Sequence, residues 1–414
     1  MGEKHKPYVR VTLEGPDDGG DFGPHTPGTK TAGIQEALDY AHENCRDVYI
    51  FGGRGGRHDR KAVTPGNVYH LEETLRVPWS HQFRLDGGNY ILWYPKPTGH
   101  AIVIDSQDNC SYRFGMIVSE SEGAAVCIKP QTAGPDDCVV VVCSLFEFAG
   151  VCSYTTGSEG VGILIDASDG PILRNRIFSA ETMTHTTGLH IVDDGAGKGS
   201  VTANEFNVLC TDQRRATGTA VGMRIGDPGS NKIQENWFRG SFHAPQGVYL
   251  DESGEYISPP GFVAPEGAIA LDIFAQNNLF ECAFFGTRAS GMDLVFEADS
   301  RDNTVRTFGL PNGMTNKATV PTNRVVSNPA AGVDVLTPPV PRPGEDLLNT
   351  TCQTVEVFVL HSGDVSEWKI CDARGSSRTF SAGLLVGQSF VLDPGDGVRF
   401  EYDTPPTWDW KALR

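Results

Sequence analysis

Short segments in which apolar and polar residues alternate make up most of the chain. Alternation with a period of two is typical of half-buried β-strands, and turns containing Gly, Pro or Asn separate the segments. Only residues 30–44 show a helical pattern, with Thr31 as the predicted N-cap. The apolar face of this helix consists of Ile34, Ala37, Leu38 and Ala41. The pattern predicts an all-β protein with one helix near its start.

Five segments in the middle of the chain can be laid over one another, and each has apolar residues at alternate positions. They are PILRNRIFSA from 171, SVTANEFNVL from 200, NKIQENWFRG from 231, NLFECAFFGT from 278 and NTVRTFGLPN from 303. Short strands that open on Gly recur between them: GILI, GLHI, GMRI and GMDL, with AIALDIF as a looser copy. Their spacing is irregular, which favours the coils of a solenoid over the fixed blades of a propeller.

Three of these segments carry Asn at the fifth or sixth place, namely Asn175, Asn204 and Asn236. Asn suits tight corners because its amide bonds to backbone groups. We therefore predict a single-stranded parallel β-helix over residues 45–327, in which each coil buries its inward residues against the coils above and below. Right-handed winding follows from the general rule for parallel crossovers.

The first 50 residues place a loop, the helix and the strand DVYIF in that order. This region resembles the N-terminal part of the pectate-lyase-like superfamily, in which a helix closes one end of a right-handed parallel β-helix. The matching residues are Asp21, Phe22 and Gly23, then Ile34, Gln35, Ala37 and Leu38, then Val48 and Tyr49. The family's acidic pair before the helix is replaced here by TPGTKTAG. The resemblance implies that residues 1–44 cap the β-helix.

The composition changes at residue 328. Residues 328–346 are rich in Pro and predict a stiff, extended linker. Residues 347–414 contain short strands with frequent turns and predict a small antiparallel β-sandwich domain, marginal in size for independent stability.

The last strand pattern is unusually aromatic, since Phe400, Tyr402, Trp408 and Trp410 alternate with polar residues. Terminal segments are ordinarily polar unless something ties them down. We expect these four side chains to be covered by neighbouring copies of the chain, as a trimer interface.

The same region resembles the small C-terminal β-domain of tailed-phage virion proteins, which usually trimerises a spike or fibre. The matching residues are Val355, Val359, Gly363, Val365, Ile370, Phe390, Leu392, Pro394, Gly395, Asp396, Val398, Tyr402, Pro406 and Thr407. The resemblance implies a homotrimeric tailspike, fibre or capsid appendage. Its partners would be other virion proteins and a host-surface polysaccharide, and it would be located in the virion after assembly in the host cytoplasm.

The charge balance narrows the choice of partners. Lys and Arg total 34 against 52 Asp and Glu, for a net charge of -18. Such a chain repels phosphate backbones, so nucleic-acid binding is not expected. No signal-peptide pattern and no apolar run of membrane-spanning length are visible. The ten cysteines show neither CxxC nor zinc-type spacing, so we expect buried thiols and no metal or cofactor, while a disulfide stays open.

Acidic residues on neighbouring coils are candidates for glycosidase chemistry, which needs two carboxylates. Equivalent positions on adjacent coils lie about 4.8 Å apart. The candidate catalytic residues are Asp166, Asp193, Asp227, Glu205 and Glu235, with Trp237 as a candidate carbohydrate-binding platform. The alternative is structural, because Asp after a strand commonly stabilises a turn and the two Glu residues could simply face solvent.

Two functions follow from these patterns. The first is a trimeric phage virion surface protein for structural or host-glycan attachment roles, which could also depolymerise polysaccharide. The alternative is a free-standing polysaccharide-active enzyme of the pectate-lyase-like superfamily, whether a lyase, a glycosidase or a fructan-type transferase.

Overall fold

The structure is a computed structural model. The residues that it describes are 7–52, 68–87, 90–134, 137–153, 160–183, 185–195, 197–211, 220–243, 249–250, 256–257, 268–285, 291–327 and 335–413. A basic segment, RGGRHDRK at 54–61, lies outside these ranges. So does most of residues 244–267, a long insertion between two coils.

Three parallel sheets, here called sheets A, B and C, run along the first three quarters of the chain. Sheet A contains β1 (Tyr8–Val11), β2 (Asp47–Ile50), β6 (Arg84–Gly87), β10 (Ser111–Ser119), β13 (Leu145–Cys152), β16 (Arg176–Met183), β19 (Glu205–Thr211), β22 (Trp237–His243), β26 (Leu279–Phe285), β28 (Thr304–Thr307) and β30 (Arg324–Ser327), with β3 (Tyr69–His70) and β7 (Ile91–Tyr94) beside them.

Sheet B contains β4 (Leu75–Val77), β8 (Ile102–Ile104), β11 (Ala124–Ile128), β14 (Val161–Asp166), β17 (Thr187–Val192), β20 (Val221–Ile225), β25 (Ile269–Ile273), β27 (Met292–Phe296) and β29 (Met314–Asn316). Sheet C contains β5 (Ser80–His81), β9 (Gln107–Asp108), β12 (Val141–Val142), β15 (Ile172–Leu173), β18 (Val201–Thr202) and β21 (Ile233–Gln234). A short antiparallel pair, β23 (Tyr249–Leu250) and β24 (Tyr256–Ile257), lies in the long insertion.

Successive coils contribute one strand to each sheet as far as β21, and the later coils continue sheets A and B only; neighbouring coils pair in parallel. The predicted fold class, a parallel β-helix with an antiparallel C-terminal region, is therefore confirmed, and its long parallel sheets are consistent with right-handed winding. The inward side chains stack in columns: the ring centroids of Phe206 and Phe238 are 4.8 Å apart, and those of Phe238 and Phe280 are 4.7 Å apart. Each coil thus buries its apolar face only by contact with the next coil.

A ladder of buried asparagines lines one corner of the β-helix. Asn204 Nδ2 donates to Asn236 Oδ1 at 3.0 Å, and Asn236 Nδ2 donates to Asn278 Oδ1 at the same distance. The full ladder comprises Asn175, Asn204, Asn236, Asn278, Asn303 and Asn323. The prediction of Asn at tight corners is confirmed. The left-handed conformation, however, belongs to the residue before the Asn, for example Ala203 with φ 59° and Glu235 with φ 59°.

The N-terminal helix α1 (Ile34–Glu43) covers the first coil with its buried apolar face, as predicted. The predicted N-cap is wrong by two residues, since Gly33 occupies that position with φ 81° and the helix starts directly after it. A side chain at Gly33 would meet the backbone of Gly23, so glycine is required there. Thr31 still contributes, because its Oγ1 accepts a hydrogen bond from the backbone N–H of Gln35 at 3.1 Å.

The C-terminal domain is a sandwich of two antiparallel sheets. One contains β31 (Asp346–Leu348), β36 (Gly397–Tyr402), β33 (Val365–Cys371) and β34 (Ser377–Phe380). The other contains β35 (Ser389–Leu392), β32 (Val355–His361) and β37 (Thr407–Ala412). The domain contacts the last coil, where Val325 N donates to Cys352 O at 2.6 Å and Arg324 pairs with Asp393 at 2.9 Å. It thereby covers one edge of the solenoid, which would otherwise expose unpaired backbone.

The Pro-rich segment is not a free spacer over its described part. Trp408 Nε1 donates to Pro338 O and Tyr402 Oη donates to Pro341 O, both at 2.9 Å. Residues 337–341 therefore pack along the sandwich and belong to it. Residues 328–334 lie outside the described ranges.

The aromatic residues of the tail are buried within a single copy of the chain. Phe400, Trp408 and Trp410 are 0%, 7% and 4% exposed, and Tyr402 is half-buried. They fill the core between the two sheets of their own domain. The expectation that these residues need a neighbouring copy to cover them is therefore wrong, because the sandwich and the proline-rich segment already do so.

The cysteine pattern matches the expected buried thiols in part. Cys110, Cys127, Cys282 and Cys352 are buried thiols, whereas Cys45, Cys138 and Cys143 are exposed. Among the described residues, no helix is both long and apolar enough to cross a membrane.

Candidate functional site

The outer face of sheet A carries a row of side chains that stack from coil to coil. In register, the row is Arg113, Glu147, Phe178, Asn207, Arg239, Glu281 and Arg306. Ion pairs occupy both ends: Arg113 Nε lies 2.7 Å from Glu147 Oε2, and Arg306 Nη1 lies 3.2 Å from Glu281 Oε1. Phe178 and Asn207 interrupt the charged row between these pairs, so an aromatic ring and an amide form its middle.

A groove of about 530 Å³ opens at this interruption. Its lining includes Glu147, Phe178, Asn207 and Ser241. The pairing of β16 with β19 shifts register between Ser179 and Thr182, and this bulge forms part of the wall. Bulges commonly redirect side chains beside binding sites. An aromatic ring flanked by hydrogen-bonding groups in a concave surface is suited to a sugar, which has apolar faces and polar edges.

One face of the Trp237 ring is covered by a neighbouring arginine. The guanidinium of Arg239 lies 3.5 Å from the centroid of the Trp237 ring, and Trp237 Nε1 donates to Glu281 Oε2 at 3.1 Å. A sugar that stacked on this face of Trp237, as the sequence predicts, would have to displace Arg239. Phe178 is the aromatic residue that the sequence reasoning missed, because its segment carried no signal beyond strand alternation.

Glu205 and Glu235 are not a stacked pair. The asparagine ladder aligns Asn204 with Asn236, so Glu205 pairs with Trp237 and Glu235 stands at the exposed corner. The expectation that Glu205 and Glu235 occupy equivalent positions on adjacent coils is therefore wrong. Glu205 lies 3.5 Å from both Arg176 and Arg239, and it therefore belongs to the charged surface around the groove.

Asp166 and Asp193 are held by groups of neighbouring coils, and Asp166 also by a serine of its own turn. Asp166 lies 2.8 Å from Lys129 Nζ and accepts a hydrogen bond from Ser168 N at 2.9 Å. Burial opposes its ionisation, but the hydrogen bonds from Lys129 and Ser168 outweigh burial, so its pKa lies below the ordinary value. Asp193 accepts bonds from Ser230 Oγ at 2.6 Å and from Lys232 N at 2.8 Å. These contacts favour the turn-stabilising alternative for both residues.

Asp227 lies in a different setting, two residues after the end of β20 in sheet B. His190 Nε2 lies 3.3 Å from its Oδ1, and Arg224 Nε lies 2.9 Å from the same oxygen. Burial opposes ionisation of Asp227, but the hydrogen bond from His190 and the charge of Arg224 outweigh it and lower its pKa. Asp227 is therefore a stabilised carboxylate.

Asp272 stands beside this group, since His190, Arg224 and Asp272 are in register on three successive coils. Asp272 is only 4% exposed, and its Oδ1 has no hydrogen-bond partner. Burial, with a further contribution from the charge of Glu297, raises its pKa to about 6. The sequence carries a signal for Asp272, an acid inside the apolar run AIALDIF, but the alternation of this segment predicts only a strand.

Metal chemistry has no obvious centre in the described ranges, where no three His, Cys, Asp or Glu side chains are grouped to hold an ion. Two candidate functional sites remain: the groove at Phe178 for binding, and the acidic pair of Asp227 and Asp272 for catalysis.

Comparisons with known proteins add little to this geometry. No known family and no curated protein matches the sequence. One solved structure with a likeness to the chain is a double mutant of the tailspike protein of E. coli bacteriophage HK620, at 11% identity. The likeness covers 97% of this chain and 92% of that chain with a TM-score of 0.24. A TM-score this low supports no argument, so the fold assignment rests on the sheets described above.

Proposed function

We propose that the chain is a phage virion surface protein whose β-helix forms a shaft and binds a host-surface polysaccharide at the Phe178 groove. The observation that carries the binding role is the aromatic and amide interruption in an otherwise ion-paired row. Because the groove is open along the outer face, it suits a chain that continues beyond the site rather than a small enclosed ligand.

The virion role rests on the arrangement of the domains and on the C-terminal motif. Pro394, Gly395 and Asp396 form the turn before β36, where Gly395 has φ 86° and Asp396 N donates to Asp393 O at 2.9 Å. The motif positions Phe390, Leu392 and Val398 are buried in the sandwich core. The residues that carry the resemblance to phage C-terminal domains are thus the ones on which this sandwich depends.

The homotrimer stays a prediction, but a different surface must form it. The outward sides of β32 and β35 and the loop that follows Leu384 expose large apolar side chains, namely Phe358, Leu360, Leu385, Val386 and Val391. A second and third copy covering this surface would remove it from water. Light scattering at micromolar concentration should give three times the chain mass, and Leu360→Asp should lower it; a wild-type monomer would contradict the trimer.

The binding role is tested with an array of immobilised bacterial surface polysaccharides. Phe178→Ala should reduce binding to the recognised glycan by about tenfold or more, because the ring supplies the apolar floor of the groove. Phe308→Ala removes a ring that is 75% exposed and lies outside the groove, and it should bind like the wild type. Equal binding by wild type and Phe178→Ala would place the glycan elsewhere.

A second function, polysaccharide hydrolysis, is favoured by one specific observation. Asp227 and Asp272 lie on adjacent coils, and their surroundings move their pKa values in opposite directions. A carboxylic acid whose pKa is raised to about 6, beside a carboxylate whose pKa is lowered, is the combination that glycosidases use. In this proposal Asp272 protonates the glycosidic oxygen and Asp227 acts as the base or nucleophile.

Asp272→Asn tests the hydrolytic proposal through release of reducing ends from polysaccharides that the wild type binds. The variant should lose activity by about a hundredfold or more, since an amide cannot donate the proton, and should keep its glycan affinity. Asp302→Asn, at an exposed corner, is the matched control and should stay active. No release of reducing ends by the wild type from any bound glycan would contradict hydrolysis and leave the attachment role intact.

A further inference from the structure

A second groove lies at the corner between sheets C and A. It begins two coils before the Phe178 groove and shares with it the coils of β13 and β16. Its volume is about 530 Å³, and four left-handed corner residues form one side: Gln82, Asn109, Cys143 and Arg174, with φ between 52° and 56°. We call it the corner cleft. It spans four successive coils, that is, three steps of about 4.8 Å.

The charge of the corner cleft is opposite to that of the chain as a whole. Its lining includes three exposed arginines, Arg84, Arg174 and Arg176, and no acidic residue among the described ones. The complete chain has a net charge of -18. A concave surface of one charge sign on a protein of the other sign concentrates counter-charged ligands locally.

The arginines differ in how far they are already neutralised. Arg84 Nη2 lies 2.6 Å from Asp86 Oδ2, which occupies that guanidinium. Arg176 has only a long contact of 3.5 Å to Glu205. Arg174 has no ion pair within the described part of the chain. Two guanidinium groups two residues apart therefore remain available to an incoming anion.

The backbone under the cleft is rigid. Gln82 N donates to Asp108 O, Asn109 N donates to Val142 O and Cys143 N donates to Leu173 O, at 3.0 to 3.2 Å. Each left-handed corner residue is thus tied to the next coil. A fixed corner reduces the ordering cost of binding, which otherwise offsets much of the interaction energy.

We propose that the corner cleft binds the anionic groups, carboxylate or sulfate, of an acidic polysaccharide. The planar guanidinium matches such oxyanions with paired hydrogen bonds. The elongated shape over four coils suits a chain with charges spaced along it. Nucleic acid fits less well, because its dense phosphate charge would meet the acidic remainder of the surface. The proposal rests on the proposed glycan-binding function and names the class of glycan.

The exposed thiol of Cys143 reports directly on occupancy, since it lines the cleft between Asn109 and Arg174. Alkylation by iodoacetamide, read by mass spectrometry of the Cys143 peptide, is measured with dextran, carboxymethyl dextran or dextran sulfate of equal length. The two anionic polymers should slow alkylation at least fivefold, and neutral dextran should not. Cys45 and Cys138 are exposed outside the cleft and serve as internal controls whose rates should not change.

Variants separate this site from general attraction to polyanions. Arg174→Gln with Arg176→Gln should abolish the protection of Cys143 and lower affinity for carboxymethyl dextran at least tenfold. Arg374→Gln, which removes an exposed arginine of the C-terminal domain, should change neither. Equal protection by neutral dextran, unchanged protection in the double variant, or stronger protection by single-stranded DNA would each overturn the proposal.

The result is distinguishable from failure of the Phe178 groove. Loss of array binding in Phe178→Ala with an unprotected Cys143 would support the attachment function and reject the corner cleft. Protection of Cys143 with no effect of Phe178→Ala would support the cleft and reject the groove as the glycan site.

Discussion

The shaft and the sandwich bury their cores in different ways. In the β-helix, like residues stack on like, as in the asparagine ladder and the Phe206, Phe238 and Phe280 column. In the sandwich, unlike residues from distant strands meet, as where Trp408 packs 5.4 Å from Phe400. A coil of the shaft is therefore supported by its two neighbours, whereas each sandwich strand depends on the whole domain.

The largest expected effect is on the sandwich. Trp410→Ala removes a side chain that is 4% exposed from its core and should cost about 3 to 5 kcal/mol. Because the domain is small, this loss should unfold it as one unit while the shaft keeps its structure. Limited proteolysis with mass spectrometry should show new cleavage throughout residues 346–412. Leu348→Ala, at a 45% exposed position, is the control, and cleavage confined to β37 would contradict cooperative folding of the domain.

A smaller and more local effect is expected in the shaft. Asn236→Ala leaves the buried backbone N–H of Asn204 without the acceptor that it has at 3.0 Å, at about 1 to 3 kcal/mol per unsatisfied group. Hydrogen exchange should quicken in the coils on either side of Asn236 and not at the ends of the shaft. Asn207→Ala, at an exposed position, should leave exchange unchanged. Uniformly faster exchange along the shaft would contradict the nearest-neighbour description.

The last effect appears only with pH and is absent near neutrality. His185 is fully buried with no hydrogen-bond partner at either ring nitrogen, and burial lowers its pKa to about 4. The unfolded chain, with a His pKa of about 6.5, then binds the proton more readily. The contribution of neutral His185 to the free energy of unfolding is therefore fully present above pH 6.5. It falls as the pH drops towards 4, by at most about 1.4 kcal/mol per pH unit.

Denaturant titrations between pH 7 and pH 4 measure this dependence. His185→Leu should remove the loss of stability in acid, so that the variant gains stability relative to the wild type as the pH falls from 7 to 4. His361→Gln, at an exposed position of the sandwich, should show no such gain. Asp272 acts in the opposite sense, because its raised pKa stabilises the fold below pH 4 and loses that effect as the pH rises to about 6. A slope unchanged by His185→Leu would remove His185 as the cause.

The same contrast explains what the sequence could predict. Repetition made the shaft visible, because the asparagines at the corners recur with the coils and the alternation shows which side chains point inward. The residues of the sandwich core also alternate, but nothing local tells which strands cover them. Trp408 and Trp410 therefore looked exposed, although Pro338 and Thr337 pack against them from about 70 residues away.

The candidate site was harder to predict because it depends on register. Glu205 and Glu235 do not stack, because the register of the coils pairs Asn204 with Asn236. Asp227 was found from its place after a strand, yet its partner Asp272 lies one coil away after a long insertion, so no sequence spacing connects them. Phe178 becomes a candidate only in the stacked row, where most of the other side chains are charged.

The central claim, that the shaft and not the sandwich binds the glycan, is tested most directly by hydrogen exchange of the full chain with a polysaccharide that it binds. We expect slower exchange in peptides covering 145–152, 176–183 and 205–211, which carry the Phe178 groove, and no change in 355–412. Protection confined to the sandwich, with the shaft peptides unchanged, would contradict the account.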